Sequence, residues 1–578
     1  NGNNGANNGN NGANNGNNGG PPVCDPPCDE GFACVEPGEC VREESCDPGE
    51  VRGCVTSTSR RVCDEDGSAF FEDPCTEDAP NCLMGVCTDD ICIPGESTCL
   101  DRDTQAVCDE AGESYIDPEP CPEGALCVNQ RCLSGCELSE KFPSYIGCQY
   151  WSLDLDQYND PFGDPSVVPH AVVVSNPSDR EALVTVTTDN QDVTLDPTEF
   201  TVAPGAVGVY TFPRLDVDGT GISNKSFFLR SSWPVVMYQF NPLDNEGVAS
   251  NDASLLLPAE SLGREYVALS WPTTPLPEQL GLPPQYGYIT IVAVRAGRTN
   301  IAVELSADVV GGTNVPFMEA GTRQEFTLRR GQVLNLEADG SNLFGGLQDL
   351  SGTTIVADQP IAVFGGHEEA VVGEGCCAEH LEQQLFPFES WGQRYLAVQS
   401  ESRGGSSDVW RVVAARDNTV VETVPPQPGA ASFTLNRGEW REIRTGQSFE
   451  IVASLPVMVG QYLVSQEDTG DFIGDPAFIL AVPIERMRNS YTVLTPADYN
   501  EDWLTVIRPV GVRITMDGQP LTQNFQSFGS GEWEYAWISV QDGAHTLESN
   551  DNFALVAYGF SGAVSYGYPG GLNLRVAE

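Results

Sequence analysis

Val512-Arg513-Ile514-Thr515-Met516-Asp517-Gly518 is an alternating run closed by a turn. Val512, Ile514 and Met516 fall on one face of an extended chain, and Arg513, Thr515 and Asp517 on the other, because successive strand side chains point to opposite sides. Asp517-Gly518 then reverses the chain, as a tight hairpin requires. Short runs of Val, Ile, Phe, Tyr and Thr broken by Gly, Pro, Asp and Asn continue in this manner from about residue 143. That texture predicts strands and turns. Long helical periodicity is absent, and only Ala378 to Leu385 hints at a helical turn.

The strand region repeats. The pattern P-x-E-x5-Y occurs at Pro258/Glu260/Tyr266, Pro387/Glu389/Tyr395 and Pro483/Glu485/Tyr491. A turn glycine recurs at Gly205, Gly331, Gly438 and Gly531, and a late strand at Pro234-Val235-Val236, Pro360-Ile361-Ala362 and Pro456-Val457-Met458, with Asn552-Phe553-Ala554 as a weaker copy. Proline is read here as opening each late strand, where its missing N–H faces no partner. Four β units follow, at 143–257, 258–386, 387–482 and 483–578. Their length suits tandem β-sandwiches better than propeller blades of roughly 40–50 residues.

Ahead of them, residues 1–22 are expected to form a disordered Asn/Gly linker, because a repeated NGNNGA hexad offers nothing to bury. Residues 23–142 are Cys-rich. Of 20 cysteines, all but Cys376 and Cys377 lie between Cys24 and Cys148. Cys46, Cys54, Cys63, Cys75, Cys82 and Cys87 recur 45 or 46 residues later as Cys92, Cys99, Cys108, Cys121, Cys127 and Cys132. No C-x2-C pair and no His occurs there, so zinc is disfavoured and disulfides within small modules are expected from Cys24 to Cys132. Six cysteines allow 15 connectivities, which spacing leaves open. Cys136 and Cys148 are expected to pair as a clasp onto the first β unit.

Composition narrows the function classes. A net charge of −54 and a pI of about 4.1 disfavour nucleic acid and anionic lipid as partners. No run approaches the roughly 18 apolar residues of a membrane span. The chain begins without Met and shows no leader, so it reads as a trimmed product, extracellular or at the cell surface, with a lipid anchor upstream as one mode of attachment.

Chemistry-bearing constellations are few. His367 and His380 flank Cys376-Cys377, a spacing open to zinc, but adjacent cysteines in an oxidising compartment are read as a vicinal disulfide, Cys376 with Cys377. H-E-x-x-H fails because position 371 is Val, and neither G-x-S-x-G nor a P-loop occurs. No catalytic residues and no cofactor are assigned. Structural Ca2+ has weak candidates in Asp154, Asp156, Asp160 and Asp164, and in Asp216 and Asp218, since acidic loops supply hard oxygen ligands. Trp151, Trp233, Trp271, Trp391 and Trp440 are candidate platforms for sugar rings.

The run Cys376-Cys377-Ala378-Glu379-His380-Leu381-Glu382-Gln383-Gln384-Leu385-Phe386-Pro387, continuing through Glu389-Ser390-Trp391-Gly392, resembles the IgGFc-binding protein N-terminal domain family in a bacterial-type form with N-terminal Cys-rich repeats. Gly366-His367-Glu368, Val409 to Asn418 and Cys148-Gln149-Tyr150-Trp151-Ser152-Leu153-Asp154 fit the same resemblance, which covers roughly 143–510 and reaches toward 578. It implies a secreted or surface-held adhesion-type domain and supplies no catalytic residues. The expected protein is therefore all-β and non-enzymatic, binding an unknown protein or glycan ligand. A lectin-like module and a structural component of an extracellular fibre are the alternatives.

Overall fold

The computed structural model describes residues 48–574, apart from 57, 65–69, 77–78, 84–85, 123–124, 129, 160–164, 244–249, 276–281, 341–347 and 498, together with the backbone of Phe32–Glu36 and Glu39–Arg42. The described chain is nearly all strand and turn, in two compact units that meet between Leu133 and Ser134. The Asn/Gly linker, Cys24, Cys28 and Cys46 lie outside the described residues.

In the smaller unit sulfur does the work of a core, as it must where few residues are apolar. One arrangement occurs twice: a three-stranded antiparallel sheet followed by a two-stranded hairpin. The first copy has Val51–Thr56, Ser59–Cys63 and Phe70–Pro74, then Asn81–Leu83 and Val86–Thr88. The second has Ser97–Cys99, Thr104–Cys108 and Tyr115–Pro120, then Leu126–Val128 and Arg131–Leu133. The bonds repeat with the spacing: Cys54–Cys82 matches Cys99–Cys127, and Cys75–Cys87 matches Cys121–Cys132. Cys92–Cys108 completes the second copy. Its six cysteines thus pair first to third, second to fifth and fourth to sixth.

The larger unit opens with helix Gly135–Lys141, started by a capping box in which Ser134 and Glu137 each bond the other's backbone N–H. Cys136–Cys148 ties this helix to the first strand of the sandwiches.

One strand path then runs four times. In the first sandwich, Gly147–Ser152, Ala182–Thr187 and Glu199–Val202 form a sheet with the start of the long strand Phe227–Phe240. Ala171–Ser175, Val207–Thr211 and the closing strand Ala253–Leu256 form the second sheet with its end. The long strand therefore belongs to both sheets. Phe449–Tyr462 and Gly543–Phe560 do the same in the third and fourth sandwiches. In the second, the path is broken into Thr354–Ala357 and Ile361–Ala370. Pro234 and Pro456 thus stand inside continuous strands, where the chain leaves one sheet for the other, and do not open new ones. A missing N–H is harmless at such a crossing, because the ladder changes partners there. The turn glycines Gly205, Gly331, Gly438 and Gly531 all have positive φ, between 65° and 85°.

The tyrosine of P-x-E-x5-Y explains its own recurrence. Tyr266 Oη accepts from Gly263 N–H at 3.1 Å and donates to Ile361 O at 2.7 Å. Tyr395 does this with Gly392 and Val457, Tyr491 with Arg488 and Phe553, and Tyr150 with Gly147 and Val235. Each acceptor carbonyl belongs to the residue just after Pro234, Pro360, Pro456 or Asn552. One buried hydroxyl therefore fastens the start of each sandwich to the point where its long strand changes sheets.

The Pro and Glu of the same pattern make the joints between sandwiches. A Cβ added to Gly147, Gly263 or Gly392 would lie 2.4, 2.5 or 2.3 Å from Cβ of Pro258, Pro387 or Pro483. Cys148 N–H donates to Glu260 Oε1 at 3.4 Å, and Gln393 N–H to Glu485 Oε1 at 3.0 Å. Each sandwich after the first thus docks its opening turn on the bare backbone of the one before.

The four closing strands meet in a cycle: Ala253–Leu256 touches Glu379–Gln384 and Ser565–Pro569, and Phe478–Leu480 touches the same two. The stretch expected to form a helical turn, Ala378 to Leu385, is therefore strand Glu379–Gln384. One edge pairs with Ile361–Ala370. On the other edge, N–H groups of His380, Glu382 and Gln384 donate to the side chains of Ser250, Asp252 and Ser254 at 3.0, 3.1 and 2.7 Å.

Tyr395→Phe keeps the ring and removes both hydrogen bonds of its hydroxyl. Burial leaves Gly392 N–H and Val457 O without water, so a loss of about 1–3 kcal/mol is expected in urea denaturation. A loss below about 0.5 kcal/mol would contradict the fastening role.

Candidate functional site

The structure scatters the candidates drawn from the sequence. Asp160 and Asp164 lie outside the described residues. Asp154 Oδ2 accepts Leu215 N–H at 2.9 Å and Asp156 Oδ2 accepts Gly219 N–H at 3.1 Å, so these two buried acids shape the 215–219 loop. Asp216 pairs with Arg214 at 2.9 Å, and Asp218 is exposed. Trp151, Trp271 and Trp391 are buried, while Trp233 and Trp440 are half-buried.

The histidines are sealed in. His170, His367 and His380 are each fully buried, and burial pushes all three down to about 3. His367 Nε2 lies 3.1 Å from Pro272 O, and its Nδ1 accepts Glu369 N–H at 3.0 Å. His380 Nε2 lies 3.8 Å from Glu382, yet this is no ion pair. Burial keeps the imidazole neutral and holds the Glu382 carboxyl well above the usual range. Cys376 and Cys377 are bonded to each other, so the four residues of H-x8-C-C-x2-H do not converge on one point.

The strand that carries the family resemblance is structural. Glu379 accepts Asn251 N–H and Ser565 N–H at 2.7 and 3.0 Å, reaching the first and fourth sandwiches. Asp252 accepts Glu382 N–H and Phe478 N–H at 3.1 and 2.9 Å, reaching the second and third. Gln383 donates to Ala253 O and Gly567 O.

An open site does lie between the second and third sandwiches. Trp440, Glu442 and Arg444 alternate along one strand and therefore share a face. Arg411, directly across from Glu442, sits with its guanidinium 3.9 Å from the Trp271 ring centre and 4.3 Å from that of Trp440. It donates to Ser270 O and Asp349 at 2.9 Å each and to Glu442 at 3.3 Å, which locks it in place. The resulting cavity of about 390 Å³ is walled by Trp271, Arg411, Trp440, Asp349 and Arg444. A second cavity of about 290 Å³ adjoins it and shares Gly373 and Arg444. Together they form a groove beside the loop that bears Cys376 and Cys377.

That loop is rigidly held. Glu374 N–H and Gly375 N–H donate to Asp468 Oδ2 at 2.9 and 3.0 Å, and Cys376 N–H donates to Glu467 Oε2 at 2.9 Å. Cys376 itself is exposed. The groove thus offers aromatic surface, fixed cationic groups and carboxylates on a preorganised frame, a combination suited to recognition. Sequence reasoning named Trp271 and Trp440 but not Arg411, whose partners lie 31 to 141 residues away, nor Arg444, which pairs with Glu442 on its own strand.

Fold and groove define a tandem-sandwich protein whose open chemistry is that of a binding surface. The IgGFc binding protein family matches residues 252–559, more than half of the chain and the whole of the groove, and the chain belongs to that family. The human IgGFc-binding protein is 24% identical over 377 residues, covering 63% of this chain. The chain spans 6% of the length of that relative. A crystal structure of a tetra-tandem repeat in the extending region of a large adhesion protein covers 74% of this chain and 99% of its own at 13% identity, with a TM-score of 0.09, which carries no argument.

The buried histidines set a pH expectation. Their folded pKa lies below the unfolded value, so the neutral form is native and the stability these three contribute is lost progressively as pH falls from about 6.5 to about 3. Proton NMR is expected to show no titration of His170, His367 or His380 between about pH 8 and pH 5. A midpoint near 6 for any of them would contradict their burial.

Proposed function

We propose that this chain is an extracellular or cell-surface interaction protein that holds a protein ligand, without catalysis, in the groove between its second and third sandwiches. The observation that supports this reading most directly is the pairing of Trp440 and Arg444 on the open rim of a groove inside the family-matched region. Aromatic and Arg side chains dominate binding energy at protein interfaces. The domain order that serves this role is a linker at 1–22, disulfide-stapled spacers at 23–142, and β units at 143–257, 258–386, 387–482 and 483–578. Disulfides in both compact units support an oxidising compartment.

A protein ligand is favoured over a glycan because Trp271 is buried and Arg411 lies against the Trp440 ring. Trp271 is covered by Arg411 and by Tyr462, whose ring centre lies 4.8 Å away. The human relative is named for immunoglobulin Fc, so Fc is one probe among several. The full chain is panned against a random-peptide display library, and tested against Fc and a glycan array. Binders are expected to lose at least about tenfold in affinity to Trp440→Ala or Arg444→Glu, the size of a modest hot spot. Retention of every binder by both variants, or saturable binding to glycans alone, would overturn the proposal.

A further inference from the structure

Where the first sandwich meets the second, Gly221–Ser223 pairs with Val333–Asn335. Three carboxylates converge beside this junction: Asp156 from the first sandwich, and Glu337 and Glu368 from the second. Each presents an oxygen within 4.8 Å of the others. They are 1%, 5% and 6% exposed, so water does not screen them.

Their hydrogen-bond donors are all neutral. Asp156 Oδ2 accepts from Gly219 N–H at 3.1 Å and Asn335 Nδ2 at 2.8 Å. Glu337 Oε2 accepts from Thr220 N–H at 3.0 Å and its hydroxyl at 3.3 Å. Glu368 Oε2 accepts from Tyr286 N–H at 2.6 Å. Thr290 donates to Asn335 Oδ1 at 2.6 Å and so fixes the amide that holds Asp156 Oδ2. Asp156 Oδ1 is buried and receives no N–H or hydroxyl donor, while the Asp156 and Glu337 carboxyls lie within hydrogen-bond reach of one another. Burial, and then the neighbouring carboxylates, hold Asp156 and Glu368 well above the usual carboxylate range.

Converging buried negative charge is relieved by protons or by a cation. We propose that Asp156, Glu337 and Glu368 form a Ca2+ site that ties the first sandwich to the second. An all-oxygen set, without His or Cys, selects a hard cation. Carboxylates drawn from two strands and an irregular segment suit the flexible geometry of Ca2+ better than the strict octahedron of Mg2+. The orphaned Asp156 Oδ1 is the oxygen left for the ion.

The test uses the full chain, stripped with a chelator and titrated with CaCl2 by calorimetry at neutral pH. One saturable site is expected, lost or weakened at least about tenfold in Asp156→Asn and in Glu368→Gln, but kept in Glu199→Gln, an exposed acid elsewhere. Wild-type protein alone also decides the matter. Tb3+ is expected to show tyrosine-sensitised luminescence that saturates at one equivalent and that excess Ca2+ reverses. No saturable Ca2+ binding at millimolar concentration, the outcome if the carboxylates share protons, would overturn the proposal. So would unchanged affinity in both folded variants.

Discussion

Each sandwich ends in a closing strand that pairs on one edge only, and the unpaired edges face one another at the centre of the larger unit. An edge left bare there would bury N–H groups without acceptors, at about 1–3 kcal/mol each. It would also leave a template for wrong pairing. The chain meets this constraint with side chains. Ser250, Asp252 and Ser254 take the N–H groups of His380, Glu382 and Gln384 in strict alternation, as a neighbouring strand's carbonyls would. Asp252 and Glu379 then each bind backbone from two further sandwiches. Burial raises the pKa of both carboxyls, and their N–H partners only partly offset it. The centre is therefore polar, costly to dissolve and specific in register.

Around that centre the joints repeat. A hydroxyl spans each sandwich from its opening turn to the crossing of its long strand, and a Pro-Glu turn seats on the glycine of the preceding sandwich. Small pieces with few residues thus fix the angle between second and third sandwiches. That angle is what brings Trp271 and Asp349 against Arg411, Trp440 and Glu442 and opens the groove. Binding geometry rests on the joints more than on any loop.

Alternation at 512–518, the turn glycines and P-x-E-x5-Y were readable because strand period, positive φ and tight approach leave local marks. The role of the tyrosine was not readable, since Val457 lies 62 residues from Tyr395. Ala378 to Leu385 misled because Glu, Gln, Leu and Ala favour helix locally. Tertiary pairing with Ile361–Ala370 and the rungs from 250–254 override that preference. Spacing alone points to His367 and His380, whereas the converging acids Asp156, Glu337 and Glu368 come from distant segments with no shared motif. Helix Gly135–Lys141 hid in a short stretch whose only signal was Ser134 with Glu137 three residues on.

If the side-chain rungs hold the sandwiches together, the amides they satisfy are shielded as deeply as any in the protein. Hydrogen–deuterium exchange of the intact chain, followed peptide by peptide, measures this directly. Segments 250–257 and 379–385 are expected to exchange last, together with Phe478–Leu480 and Ser565–Pro569, and only through global opening of the larger unit. Exchange at the rate of exposed edges in 379–385, while the long strands stay protected, would show the four sandwiches to be independent pieces and contradict the interlocked centre.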